Sequence, residues 1–264
     1  MEFRDYETLR FAYQGRLLRV TIAGKSRMNG VDARMHEELA RVFPDLQRDP
    51  DSDLVVLTGH GPAFCAGGDM TWFQDMIDDP TKFRGIAPEA KRIIMGLLEL
   101  EKPIICRLNG AAAGLGASIA LLCDVIVADE TAQIGDPHVK VGLVAGDGGA
   151  VMWPQLIGFA RAKEMLLTGD MLRARDAVAM GLINHAVPAE QLDAKVDEIA
   201  GKIMGNPRWA VRWTKTAMNV VLRDIANKVN DAAIAYEMLS NMMRDRQEAV
   251  SAFVEKRKPN YSGE

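Results

Sequence analysis

The first third of the chain alternates between short hydrophobic runs and turn residues. Residues 6–13 and 16–23 are rich in β-branched and aromatic positions, and the Gln-Gly pair between them predicts a hairpin of two antiparallel strands. Asp32 can cap a following helix, because apolar residues then recur at helical spacing as far as residue 46. Pro44 should kink or shorten that helix.

Three later hydrophobic runs each lead through a glycine-rich turn into a helical pattern. The three predicted units are a strand at 54–58 with a loop at 60–69 and a helix from Met70; a strand after Pro103 with a turn at 109–115; and short strands at 125–128 and 132–134 with a turn at 146–149. Beyond residue 158 the pattern is almost wholly helical. The chain therefore belongs to the α/β class, with a helical C-terminal region.

Composition narrows the class of protein. The chain has 264 residues and a formal net charge of -4 with mixed signs throughout, so we expect no nucleic-acid partner. Its three cysteines have no metal-ligand spacing, which predicts buried thiols in a reducing compartment and no metal site. Because the sequence has neither an apolar signal core nor a run of about 18 apolar residues, we expect a cytoplasmic protein without a membrane partner.

The glycines of the second unit allow two interpretations. Gly110, Gly114 and Gly116 stand between a strand and a helix, with Asp129 further on, as in a dinucleotide-binding fingerprint. No tyrosine in the chain is followed four residues later by lysine, as short-chain dehydrogenases of that type require. Alternatively, two glycine-rich turns each supply one backbone N–H to a shared oxygen, which would form an oxyanion hole. We favour the second interpretation.

Five motifs support it: FCAGGDM, NGAAAGLGASIALLCDVIVA, VGLVAGDGG, LTGD followed by GLI, and the closing AFVEKRKP. In these motifs, over nearly the whole chain, the sequence resembles the crotonase (enoyl-CoA hydratase/isomerase) superfamily. The resemblance implies a crotonase-like spiral of repeated β-β-α units in residues 1–205. It also implies a helical oligomerisation region in residues 206–264, in a homotrimer or a dimer of trimers. The substrate would be an acyl-CoA thioester, with coenzyme A as part of the substrate and no prosthetic group.

The same resemblance assigns roles to individual residues. The backbone N–H groups of Gly68 and Leu115 match the donors that stabilise a thioester enolate in the family. The residues that match the family's coenzyme A contacts are Lys25, Arg27, Met28, Ala66, Gly68, Met70 and Lys256. We also expect Met70, Trp72, Phe73 and Met76 to form the wall of an apolar acyl pocket.

One departure from the family pattern concerns the acid and base. Hydratases of the family use two glutamates, and those positions are Ser118 and His138 here. Simple hydration is therefore doubtful, and double-bond isomerisation is at least as plausible. His138 and Asp147 are the candidate acid/base residues, although His138 could be structural and Asp147 a helix cap. Asp136 could orient His138 or bond the backbone of its turn.

Two further alternatives stay open. An acyl-CoA binding protein of the same fold, without catalysis, would also explain the loss of both glutamates. Cys65 lies beside the proposed donors and could attack a thioester. His36 is expected on a helix surface, and the Trp209/Trp213 pair in the core or at a helical interface.

Overall fold

The computed structural model describes residue 3 and residues 5–264, which form two β-sheets and a set of helices around them. The strands are β1 (Leu9–Gln14), β2 (Leu17–Ile22), β3 (Leu54–Gly59), β4 (Ala63–Cys65), β5 (Ile104–Leu108), β6 (Ala111–Ala113), β7 (Val125–Asp129), β8 (Gln133–Gly135), β9 (Met171–Arg173) and β10 (His185–Val187). The helices are α1 (Ala33–Arg48), α2 (Met70–Asp78), α3 (Pro80–Glu99), α4 (Leu115–Leu121), α5 (Gly149–Thr168), α6 (Ala174–Met180), α7 (Leu192–Met204), α8 (Arg208–Asn241) and α9 (Arg244–Glu255).

The chain winds between the two sheets in a repeating order. The larger sheet has the order β1-β2-β3-β5-β7-β10, and the smaller has the order β4-β6-β8-β9. In each of the pairs β3/β4, β5/β6 and β7/β8, the first strand belongs to the larger sheet and the second to the smaller sheet. Each pair precedes a helix that starts at a glycine-rich turn. Neighbouring strands from these units pair in parallel. The predicted spiral of β-β-α units is therefore confirmed.

Buried side chains explain why these elements hold together. β3 is buried along its whole length, as expected for a parallel strand covered on both faces. α1 begins where Asp32 accepts a hydrogen bond from the Met35 N–H at 2.9 Å, so the predicted cap is confirmed. One large cluster of buried apolar residues joins the hairpin to α1, α3, α4 and α5. These helices consequently share one core with the larger sheet, while α7 packs on that sheet through a second buried cluster.

Two local predictions are corrected. α1 continues to Arg48, so Pro44 does not shorten it, because the helix is held by packing of its buried face. The segment 60–69 is not all loop, since it contains β4, which pairs with β6. α3 begins at Pro80, which suits the first turn because proline lacks the N–H that a helix start leaves unpaired.

The helical region from residue 206 onward covers the core and also leaves apolar surface. α8 packs against α3 and α5, while Trp209 and Trp213 are 49% and 61% exposed. These two tryptophans therefore do not pack in the core of the chain.

No helix in residues 5–264 is long and apolar enough to cross a membrane. The division at residue 205, the trimer and the cytoplasmic location stay predictions.

Candidate active site

Three helix starts from successive β-β-α units meet at one cavity. Its volume is about 40 Å³, room for about three water molecules. The cavity lies between the starts of α2, α4 and α5 on one side and α1, α3 and α8 on the other. The residues that line it are Val31, His36, Gly68, Trp72, Phe73, Met76, Phe83, Ile86, Ala87, Ala90, Leu115, His138, Asp147, Ile234 and Glu237. All four residues predicted to be catalytic are among them.

The backbone N–H groups of Gly68 and Leu115 have no acceptor within residues 5–264. Leu115 is the first residue of α4, where the helix leaves its N–H groups unpaired. Gly68 forms a bridge with Val31, and the two hydrogen bonds of that bridge use the Gly67 carbonyl and the Asp69 N–H. The Gly68 N–H therefore points away from Val31. Both residues line the cavity, and neither N–H is used by another described residue.

Close packing brings these two turns together. Gly67 has a φ of +83°, and a Cβ built there would lie 2.9 Å from the Ala113 carbonyl oxygen and 4.0 Å from the Gly114 nitrogen. Any side chain at position 67 would separate the two turns. The residue before each proposed donor is thus in direct backbone contact with the opposite turn. Such contact is the arrangement that an oxyanion hole built from two segments requires.

His138 lies between carboxylates on both sides of its ring. Its Nδ1 contacts Asp136 Oδ1, while its Nε2 lies 3.4 Å from Asp147 Oδ2 and 3.9 Å from Glu237 Oε1. Burial acts to lower the pKa of His138, but the Asp136 and Asp147 carboxylates outweigh it and raise the pKa well above the usual value. The ring therefore holds protons on both nitrogens and has no free lone pair. Asp136 orients His138, in addition to facing the backbone of its turn.

The position of His138 is set by the turn before α4. Gly114 has a φ of +52°, and a Cβ at this residue would lie 3.0 Å from His138 Cε1. The imidazole consequently packs on the residue that precedes the Leu115 N–H. A side chain at position 114 would push the ring away from the proposed oxyanion hole.

Asp147 does not cap α5. The N-cap of that helix is Gly148, and no side chain bonds to the helix start. Instead, Ser118 lies with its hydroxyl 3.3 Å from Asp147 Oδ1, where it can donate a hydrogen bond. Asp147 is 7% exposed and faces the cavity between Ser118 and His138. The residue at the first hydratase glutamate position therefore holds the carboxylate of Asp147.

Glu237 is a further site residue that sequence reasoning missed. It lies on α8, about 90 positions after Asp147, and no motif surrounds it. Burial raises the pKa of Glu237 to about 8, with a further upward contribution from the Asp147 carboxylate. At neutral pH Glu237 therefore holds a proton. The helical C-terminal region supplies both Glu237 and Ile234 to the cavity wall.

The same cluster meets the distance requirement for a metal ion. Ligand atoms of Asp136, His138 and Asp147 lie within 4.8 Å of one another. A metal would need an unprotonated ring nitrogen. Both nitrogens of His138 instead face carboxylates that favour its charged form. The donor set therefore suits a buried ion pair better than a metal.

The rest of the cavity is mostly apolar. Trp72, Phe73 and Met76 line it as predicted, together with Phe83, whereas Met70 is half-buried outside it. Cys65 is fully buried nearby, and burial raises its pKa to about 11. Cys65 is therefore a neutral thiol at physiological pH and a poor nucleophile.

Residues assigned to coenzyme A contacts lie in two places. The Ala66 N–H donates to the Met28 carbonyl at 3.1 Å, which joins the two segments that contain most of these residues. Lys25 is exposed and paired with Asp32 at 3.1 Å, in a groove of about 450 Å³ that reaches Trp72. Exposed Arg27 and Lys256 lie outside the lining of that groove. Lys256 ends α9, and a contact from it stays a prediction.

Residues 13–264 match the family described as enoyl-CoA hydratase/isomerase. The crotonyl-CoA hydratase of Syntrophomonas wolfei is 32% identical over 259 residues, which cover 97% of this chain and 98% of that protein. An enoyl-CoA hydratase/isomerase structure from Mycobacterium paratuberculosis has a TM-score of 0.89 and 34% identity, covering 94% of this chain and 99% of that one.

A β-diketone hydrolase from the cyanobacterium Anabaena, solved with (S)-3-oxocyclohexyl acetic acid, has a TM-score of 0.83 and 30% identity. The match covers 91% of this chain and 96% of that one. Similar folds in this family therefore accompany different reactions. The family match, the relatives and the spiral fold agree, and the chain belongs to the enoyl-CoA hydratase/isomerase (crotonase) family.

Proposed function

We propose that this protein moves a double bond in a short acyl-CoA thioester, with the enolate held by the Gly68 and Leu115 N–H groups and Asp147 as the base. One observation carries the proposal: two unpaired backbone donors and one buried carboxylate face the same cavity. Donors of this kind stabilise charge that develops on a carbonyl oxygen, and each contributes about 3 kcal/mol.

The charges of the site support Asp147 rather than His138 as the base. The positive charge of protonated His138 cancels the negative charge of Asp136. Glu237 is neutral, and Asp147 carries the remaining negative charge. When Asp147 takes a proton from the α-carbon, that charge moves to the enolate oxygen. The buried site keeps one negative charge throughout, so no charge has to be added in a region from which water is excluded.

In this scheme His138 positions the base. Its Nε2 lies 3.4 Å from Asp147 Oδ2, while Asp136 holds Nδ1 and fixes the ring. Ser118 contacts the other oxygen of Asp147. These two contacts orient the carboxylate toward the substrate, as a general base requires.

The reaction balances without water or a redox partner. Asp147 removes a proton from the α-carbon of a 3-enoyl thioester, and the electron pair of the C–H bond delocalises onto the carbonyl oxygen. The same carboxyl then returns the proton to the γ-carbon. The double bond moves from the 3-position to the 2-position, and Asp147 regains its negative charge.

Deuterium incorporation at the α-carbon tests the proposal. In D2O, we expect the protein to exchange the α-protons of butanoyl-CoA and to convert 3-butenoyl-CoA into its conjugated isomer. Asp147→Asn should lower both rates about 100-fold or more, because general base catalysis contributes at least that factor. Asp231→Asn is the matched control, since Asp231 is an exposed aspartate on α8.

Two outcomes would contradict the proposal. One is undiminished exchange in Asp147→Asn. The other is tight binding of acyl-CoA without exchange, which would favour the binding protein without catalysis. Loss of the conjugated product through addition of water would instead identify hydration.

A second candidate function is hydrolysis of a carbon–carbon bond between two carbonyls. Two observations favour it: the similarity to the Anabaena β-diketone hydrolase, and a groove whose cations Lys25 and Arg34 are already paired with carboxylates rather than free for phosphates. In such a reaction Asp147 would take a proton from water, and the resulting hydroxide would attack one carbonyl carbon. The carbon–carbon bond would then break, and the fragment that carries the second carbonyl would leave as an enolate. Asp147 would return its proton to the carbon of that enolate. Acid release from a cyclic 1,3-diketone without coenzyme A, measured by pH-stat titration, would establish this activity.

A further inference from the structure

His36 is a polar side chain in the apolar part of the cavity. It lies on α1, in the turn that Asp32 caps, and only 3% of its surface is exposed. The expectation that it lies on the helix surface is wrong, because α1 turns this face toward α3. His36 lines the cavity beside Trp72, and the centroids of the two rings are 5.4 Å apart.

Only one of the two ring nitrogens is used by the protein. Nδ1 lies 2.7 Å from Glu89 Oε2 on α3, so this nitrogen carries a proton that it donates to the carboxylate. Nε2 forms no hydrogen bond within residues 5–264, and it is not completely buried. Nε2 therefore keeps some accessible surface, in a ring that lines the cavity.

A ring nitrogen that lines a mostly apolar cavity and has no protein partner can bind a polar group of a ligand. Phe83, Ile86 and Ala87 line the same cavity and have no side chain that can form a hydrogen bond. The Trp72 indole N–H beside His36, by contrast, is a donor only. The polar groups of the proposed chemistry, His138 and Asp147, come from different elements. His36 thus supplies a polar group separate from the proposed chemistry in a mostly apolar wall.

We propose that His36, held by Glu89, selects an acyl group that carries a hydroxyl beyond the reacting carbons. A hydroxyl fits the ring in either protonation state, because it can donate to a neutral Nε2 or accept from a protonated one. A carbonyl could only accept. The proposal rests on the proposed function, in that it places the acyl group of a thioester in this cavity.

The cavity size limits the ligand to a short chain. With a volume of about 40 Å³, it has little room beyond the first carbons of an acyl group. The matched pair of ligands is therefore 4-hydroxybutanoyl-CoA and pentanoyl-CoA, which differ by a hydroxyl in place of a methyl group of similar size. A second pair, 5-hydroxypentanoyl-CoA and hexanoyl-CoA, allows for one more carbon of reach.

Binding measured by isothermal titration calorimetry tests the proposal without depending on turnover. We expect the hydroxylated member of at least one pair to bind about tenfold more tightly, as one well-placed hydrogen bond in a buried site allows. His36→Leu should reduce that ratio to about one, and His36→Gln should retain part of it because an amide can still form the bond. His60→Gln is the matched control, since His60 is exposed in a turn.

The outcomes separate the two proposals. Equal binding of both members of each pair, or a preference that survives His36→Leu, would show that His36 and Glu89 only join α1 to α3. Hydroxyl preference without α-proton exchange would overturn the proposed reaction and leave the role of His36 intact. Failure of every acyl-CoA to bind would overturn both.

Discussion

Replacement of Glu237 by glutamine tests whether the buried site holds an extra proton. Glu237 is 6% exposed, and burial raises its pKa to about 8 from an ordinary value of 4.5. In the folded protein this carboxyl is therefore protonated at pH values where the unfolded chain has released its proton. Glutamine resembles the protonated form and has no charge to bury.

The magnitude follows from linkage between protonation and folding. Because the pKa of Glu237 is higher in the folded state than in the unfolded chain, the proton on Glu237 stabilises the folded protein. This stabilisation is complete below pH 4.5 and is lost as the pH rises to about 8. Each pH unit in this window corresponds to about 1.4 kcal/mol. The free energy of unfolding of the unaltered protein should thus fall, relative to Glu237→Gln, by at most about 5 kcal/mol between these limits.

Urea unfolding at fixed protein concentration, measured at half-unit steps from pH 5 to pH 9, provides the comparison. The concentration must be fixed because any association of chains would also affect apparent stability. The two proteins should have similar midpoints at the lowest pH and diverge as the pH rises, with the variant more stable. Glu99→Gln is the control, since Glu99 is exposed on α3.

Parallel pH profiles for Glu237→Gln and the unaltered protein would refute the reasoning. They would mean that Glu237 is ionised at neutral pH in the folded state. The proposed charge balance would then fail as well, because the cavity would carry a second negative charge.

Three other substitutions have defined outcomes. Asp136→Asn removes a carboxylate that raises the pKa of His138, so the ring should lose its second proton at a lower pH. The rate of α-proton exchange should therefore begin to fall at a lower pH on the alkaline side of its pH profile. Lys102→Met removes a buried ammonium that lies 3.8 Å from Asp49 Oδ2 and should cost about 3 kcal/mol in urea unfolding, because a carboxylate loses its counter-charge. Asp32→Ala should cost about 1 kcal/mol through loss of the α1 cap, whereas Asp32→Asn should cost much less because asparagine also caps helices.

Local patterns were sufficient for part of the architecture. The spacing of hydrophobic runs and glycine-rich turns predicts strands followed by turns and helices, because strand and helix periodicity and helix starts depend on residues close in sequence. The same patterns predict loop and turn where the short strands β4 and β6 lie, and the β-β-α repeat was implied by the family resemblance. The helix starts after Asp69 and Gly148 were found for this reason. Pro44 was misjudged because tertiary packing outweighs one lost hydrogen bond.

The candidate site was predicted only in part. The turns with Gly68 and Leu115 are recognisable in the sequence, and their convergence on one cavity follows from the fold. The choice between His138 and Asp147 was not accessible, since it depends on which carboxylates surround the imidazole. Glu237 was missed because it belongs to a distant helix without a motif.

The sequence by itself determines the family, the longer strands and helices and the glycine-rich turns before the helices, because each is encoded by short-range patterns. The short strands β4 and β6 depend on pairing with each other across the second sheet, and only the tertiary structure shows them. The tertiary structure alone decides which groups carry protons and which side chains face the cavity. Burial and electrostatic coupling are collective properties that join residues far apart in the chain. The proton on Glu237 and the free ring edge of His36 arise in this way.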